Sequence, residues 1–333
     1  MILYSMIKIY SLSYWLYFYI NMMYFILLII MMFISVAFFT LFERKLLSYI
    51  HKRKGPNKAL FLGLMQPFAD AMKLLTKEFM YSNKTIYSVF IISPMTMLLI
   101  TMSLWLLFPS NLNVMSINNS MLLILCYLSM SVYPIMLSGW SSNSSYALMG
   151  ALRGLAQTIS YEVSLAAIII SPMMLCETMN FYYFKDFQTF LNFGLWYWPS
   201  MIMIYISSLA EVNRTPFDFI EGESELVSGF NIEYYSLGFT LIFLSEYSMI
   251  IWMSGFISMM FFPSITFIFM TLCISYSMIW VRASFPRMRY DKLMFLCWKI
   301  ILPCSITLLS FSLMIKYLIL MNMYSMNIFM FIC

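Results

Sequence analysis

The sequence predicts an all-α polytopic membrane protein, with about eight transmembrane helices and one amphipathic helix on the surface. Three observations carry that expectation. Of 333 residues, 62% are hydrophobic and 10% are charged, where a soluble domain has about 25% charged. Mean hydropathy is +0.85. Eight apolar segments approach or exceed the roughly 20 residues that cross a bilayer as helix. They lie near 15–42, 86–108, 120–139, 153–176, 195–211, 235–256, 261–281 and 293–320. No repeat period and no Ser/Gly- or Pro-rich linker divides the chain, so 1–333 reads as a single integral membrane domain.

The first segment reads as a retained helix rather than a cleavable signal. Lys8 precedes its apolar run, no small-x-small site follows, and the run is long enough to span. The connector after it is basic, from Glu43-Arg44-Lys45 through Lys52, Arg53, Lys54 and Lys58. Gly55-Pro56-Asn57 marks a turn in it. The run QPFADAMKLLTKEF then sets Phe68, Ala71, Met72, Leu75 and Phe79 on one helical face and Asp70, Lys73 and Lys77 on the other. That pattern suits a helix lying on the membrane surface. The fourth span carries Arg153 and Glu162, and the sixth carries Glu246 within LIFLSEYSMIIW. An ionisable residue inside a membrane is a functional candidate, though a hydrogen bond to a Tyr or Ser neighbour would also account for Glu162. Thr215-Pro216 should end the fifth span, because the residue before Pro avoids the helical region. That leaves Arg214 at the helix C-terminus, where the dipole favours a cation. In the last connector, WVRASFPRMRYDKL, Pro286 breaks any helix and four cations lie among aromatics.

Orientation follows from Lys and Arg. Fifteen of the nineteen fall at odd-to-even connections, which puts the basic connectors on the matrix or cytoplasmic side. Both termini then lie on the charge-poor side. Phe, Ile, Met, Tyr and Asn are abundant beside few Gly and Ala, a composition that suggests an AT-rich coding genome such as an organelle's.

The stretch LAEVNRTPFDFIEGESELVSGFNIEY, residues 209–234, concentrates the acidity. Six of the fourteen Asp and Glu lie there: Glu211, Asp218, Glu221, Glu223, Glu225 and Glu233, with Arg214 as the one cation. Carboxylates so close raise one another's pKa and titrate as a coupled set. Gly222 and Gly229 allow an irregular fold-back, and non-helical backbone near membrane depth needs protein or a hydrated cavity around it. An ordinary solvated acidic loop is the plainer alternative.

Several chemistries are excluded. The single histidine, His51, lies in a basic connector, so no bis-histidine haem and no His-rich copper or zinc site can form from this chain. No Cys-x-x-Cys, G-x-G-x-x-G or phosphate-loop pattern is present. Any redox chemistry therefore rests on partners.

Five blocks resemble subunit 1 of respiratory complex I, the proton-pumping NADH:ubiquinone oxidoreductase. They are FERKLLSYIHKRKGPN, QPFADAMKLLTKE, SNSSYALMGALRGLAQTISYEV, the acidic stretch, and WVRASFPRMRYDKLM, in the family's order. The similarity runs roughly from Leu41 to Trp298. His51, Ser145 and a short connector between the sixth and seventh spans depart from the family pattern, none of them in the acidic set. The resemblance implies a multi-pass subunit of the mitochondrial inner membrane that shapes the ubiquinone cavity and couples quinone reduction to proton translocation. It implies that Glu162, Glu211, Asp218, Glu221, Glu223, Glu225 and Glu246 couple protons, with Arg153 and Arg214 as ion partners. It further implies that Arg44, Asp70, Phe217 and Phe243 stand near the quinone. Ubiquinone would be substrate, while NADH, FMN and iron–sulfur clusters belong to partner subunits. Those partners are the quinone-site arm subunits and the antiporter-like membrane subunits, with the lipid bilayer around them and no nucleic acid. A stand-alone proton- or sodium-coupled transporter is the rival reading. Such transporters often carry inverted repeats, and none is visible here.

Overall fold

A computed structural model describes the backbone of residues 2–59, 61–80, 84–109, 117–188, 192–220, 222, 229–231, 233–263 and 265–332. Side chains are described for these except residues 2–18, 20, 185, 186 and 322–332. The secondary structure of the described residues is entirely helical.

The helices follow the apolar runs. They are α1 (Ile2–Ile50), α2 (Gln66–Leu75), α3 (Tyr87–Leu106), α4 (Ser120–Met130) continued by α5 (Val132–Ser141), and α6 (Ser145–Cys176). The short α7 (Phe184–Phe187) and α8 (Phe193–Trp196) lead to α9 (Trp198–Glu211). Then come α10 (Ser236–Phe261), α11 (Phe267–Ser284), α12 (Tyr290–Phe295), a π-helical stretch Leu296–Ile301, and α13 (Leu302–Ile332). Among the described residues, 7 of these stretches are long and apolar enough to cross a membrane unaided. The fifth predicted span falls short: α9 has 14 residues. The single turn α8 precedes it, separated by Tyr197 in a non-helical conformation and followed by Pro199 in the first turn of α9. α6 begins well before the predicted 153, because Ser144 is extended and its successor opens the helix.

α6 and α10 form the centre. In their apolar windows 56% and 67% of residues are buried, against 17% for α1 and for α11 at the rim. Trp252 of α10 is fully buried and its Nε1 donates to the Leu104 carbonyl at 2.9 Å, which locks α10 to α3. Most hydroxyls turn inward on their own helix. Ser35, Thr101, Ser164 and Ser258 each donate to the carbonyl three residues back, at 2.7–2.9 Å. The amphipathic helix α2 leaves Phe68, Met72 and Leu75 exposed, with the Phe68 ring edge-on to Phe38 of α1 at 6.2 Å. The pattern predicted that face; the helix stops at Leu75, short of Phe79.

Candidate functional site

The site is built where α9 ends. The amide of Arg214 bonds the Leu209 carbonyl at 3.3 Å, and that of Asn213 bonds Ala210 at 3.2 Å. Asn213 takes a left-handed backbone, φ 54°, the conformation that closes a helix with a double capping bond and that Asn tolerates. The chain past the cap is held by α6. Gln157, fully buried, donates from Nε2 to the carbonyls of Ala210 at 2.8 Å and Phe217 at 2.9 Å. One turn away, Gly154 leaves room for Ile220, whose Cδ1 lies 2.5 Å from where a Cβ would sit. Gly150 similarly admits the backbone of Ile220 and Gly229. The last connector closes over this segment. The Met288 amide bonds the Pro216 carbonyl at 3.1 Å, and the Arg287 guanidinium lies over the Phe219 ring at 5.7 Å and against Gly222. At the far end Tyr234 stacks on Phe90 with centroids 4.1 Å apart and hydrogen-bonds Ser93 at 2.8 Å.

This scaffold leaves a cavity of about 60 Å³ between α3, α5 and the residue before it, α9, α10 and the turn after α9. Its lining is apolar except for Thr101, Ser131, Asn213, Ser245 and two carboxylates, Glu211 and Glu246. Glu211 is buried, and Ser131 donates to its Oε1 at 3.2 Å. The other oxygen of Glu211 and Oε1 of Glu162 are buried without a hydrogen-bond partner among the described residues. Glu162, on α6, stands within electrostatic reach of Glu211. A buried carboxylate oxygen with no donor needs a proton or a water.

A second cluster lies across the turn, and sequence reasoning missed its centre. Glu43 of α1 is 5% exposed. Its Oε2 accepts from the Tyr247 hydroxyl at 2.6 Å, and its Oε1 is shared by Arg282 and Arg214, the latter at 3.6 Å. Arg214 also lies over the Tyr247 ring, 4.4 Å from its centroid. Burial disfavours the charge of Arg214, but Tyr247, Glu43 and Glu246 around it outweigh that and raise its pKa.

The other expected residues are dispersed. Arg44 and Asp70 pair at 2.5 Å between α1 and α2, both partly exposed, and Gln66 donates to the same carboxylate at 3.1 Å. Phe243 sits between Phe239 and Tyr247, at 4.3 and 6.2 Å. Phe217 is buried elsewhere, 6.2 Å from the Tyr161 ring. Arg153 and Asp218 are half-buried and engaged with neighbours. Arg214 was expected to serve the acidic stretch; its ion pair is with Glu43. Glu221, Glu223 and Glu225 lie outside the described residues.

Comparison with known proteins follows this geometry. A family model described as NADH dehydrogenase matches residues 23–313. The chain is 50% identical over 299 residues to the NADH-ubiquinone oxidoreductase chain 1 of Aedes aegypti, which covers 89% of this chain and 96% of that one. It is 52% identical over 291 residues to the same chain of Locusta migratoria, at 86% and 93% coverage. Against that of Sarcophilus harrisii it is 45% identical over 294 residues, at 85% and 92%.

Proposed function

The chain belongs to the NADH dehydrogenase family of complex I membrane subunits, and from that premise we propose that it helps form the ubiquinone cavity and couples quinone reduction to proton translocation. The observation that carries the proposal is the meeting of Glu211 and Glu246 in one cavity, with Glu162 in electrostatic reach. Quinone reduction takes up two electrons and two protons, and the electrons come from NADH through FMN and iron–sulfur clusters in the arm subunits. This chain supplies the response. When charge changes beside the acidic stretch, Glu211, Glu162 and Glu246 change protonation or pairing as a coupled set. That change travels along α6 and α10 toward the antiporter-like membrane subunits. Asp218, Glu221, Glu223 and Glu225 extend the same set, and Arg153 and Arg214 are its cations. Arg44, Asp70, Phe217 and Phe243 would border the path of the quinone. The basic connectors face the mitochondrial matrix.

The test uses the assembled enzyme. Native electrophoresis with NADH-oxidation staining should find this chain in a very large particle. In that particle Glu211→Gln should lower quinone reduction and pumping on the order of a hundredfold, the scale of a lost proton-transfer group. NADH oxidation by artificial acceptors should persist. Normal pumping in Glu211→Gln would exclude the relay.

A further inference from the structure

Among the described residues, the lining of the acid-lined cavity has two carboxylates and no cation. Arg214 stands just outside, on the turn that both clusters share; Val212 lines this cavity and also a smaller one of about 20 Å³ beside Glu43, Arg214 and Arg282. Arg214 therefore interacts with two carboxylates. Glu43 of α1 faces it at 3.6 Å, and Glu246 of α10 lies within its electrostatic reach. Tyr247, the neighbour of Glu246 in sequence, lies under the guanidinium and hydrogen-bonds Glu43. One Nη of Arg214 is buried without a hydrogen-bond partner among the described residues, so its donors are not all committed to Glu43. Arg282 of α11 holds the same Glu43 oxygen that Arg214 approaches.

We propose that Glu43 is a positioning residue that competes with Glu246 for Arg214 and thereby sets, from outside, the charge balance of the acid-lined cavity. The inference rests on the relay reading above. With Arg214 drawn to Glu43, Glu246 keeps less of its counterion and can take up a proton. With Arg214 released, Glu246 gains a permanent cation and is held ionised. Arg282 tunes the competition, because it occupies part of the Glu43 carboxylate. The titratable and charged groups facing these residues are Arg214 from the connector, Tyr247 from α10, Arg282 from α11, Glu211 from α9 and Glu162 from α6. A carboxylate on α1 thus reaches the cavity through one guanidinium, with no group of its own in the lining.

The experiment is the pH profile of NADH:quinone turnover in assembled complex I, with NADH oxidation by an artificial acceptor as the measure of assembly. Glu43→Gln hands Arg214 to Glu246, so the alkaline fall in turnover should move toward acid by about one pH unit. Arg282→Gln leaves Glu43 wholly to Arg214, so the same limb should move toward alkali. Glu43→Asp, which keeps the charge, should return the profile toward that of the unaltered enzyme. Opposite shifts cannot come from general loosening of the bundle, which would lower the amplitude alone. Should Glu43→Gln fail to assemble, Arg282→Gln decides: an unmoved or acid-shifted limb overturns the proposal. The two readings fail separately. Normal pumping in Glu211→Gln removes the relay, whereas impaired Glu211→Gln with unmoved profiles in the Glu43 and Arg282 variants removes only this competition.

Discussion

Gln157 shows how one side chain can fix a functional segment. Its amide bridges the last turn of α9 and the residue after the cis Thr215–Pro216 bond. Replacing it by Leu leaves two buried carbonyls without their donor, at about 1–3 kcal/mol for such a loss. Gln157→Leu should therefore lower the temperature at which quinone reductase activity is lost, while the heat stability of NADH oxidation by artificial acceptors is unmoved. Equal heat sensitivity of both activities would contradict a local role. The surface pair Arg44–Asp70 is different in kind: half of the Arg44 side chain is exposed, and exposed pairs contribute about 0–1 kcal/mol. These two cases mark what the sequence disclosed. Arg44 and Asp70 stood out in two recognisable blocks as positions expected near the quinone, and the fold pairs them. Glu43, the neighbour of Arg44, was read with the basic connector around it, yet α1 continues to Ile50. Successive helix residues point about 100° apart, so Arg44 turns out toward α2 while Glu43 turns in toward Arg214. A sign was present all the same: Glu43 is the lone acid in a run of six cations from Arg44 to Lys58.

At the scale of the element, α6 is organised by what it lacks. Gly150 and Gly154, one turn apart, open a face onto which Ile220 and Gly229 fold. A Cβ at Gly154 would meet the Ile220 side chain at 2.5 Å, and one at Gly150 would meet backbone at 3.2 Å. Gly154→Leu should displace the acidic stretch and abolish quinone reduction, whereas Gly150→Ala should be the milder change. Native electrophoresis with paired activity stains would decide, and full turnover in Gly154→Leu would show that the seat is dispensable. Most spans could be placed from hydropathy alone, because a long apolar run has one solution in lipid. α9 was placed less well. Its 14 residues reach their partners inside the bundle, where α6 and α10 shield the irregular turn that follows. Apolarity along the chain reports lipid thickness and is silent about protein walls.

Across the whole molecule, the charged pairs fall into separate groups. Glu43 and Arg44, near the C-terminal end of α1, anchor the Glu43–Arg214–Arg282 cluster and the Arg44–Asp70 pair. Lys316 pairs with Glu177 at 3.3 Å, between α13 and the C-terminal end of α6. Orientation has a direct check. A lysine-specific protease should cut within Lys52–Lys58 in inverted inner-membrane vesicles and not in intact mitochondria stripped of their outer membrane. Cleavage in the latter would reverse the assignment. The inward-turned hydroxyls bear on biogenesis. A serine that donates to its own helix three residues back is satisfied as soon as that helix exists, before any neighbour arrives. Single helices of this chain can thus enter the bilayer in order of synthesis with few unmet polar groups. Glu43, Gln157, Glu211 and Arg214 are among the exceptions, since their partners come from other segments far along the chain. The first helix must wait with a bare carboxylate until the turn after α9 and α11 are made, so a factor that shelters an unfinished bundle has its clearest client here.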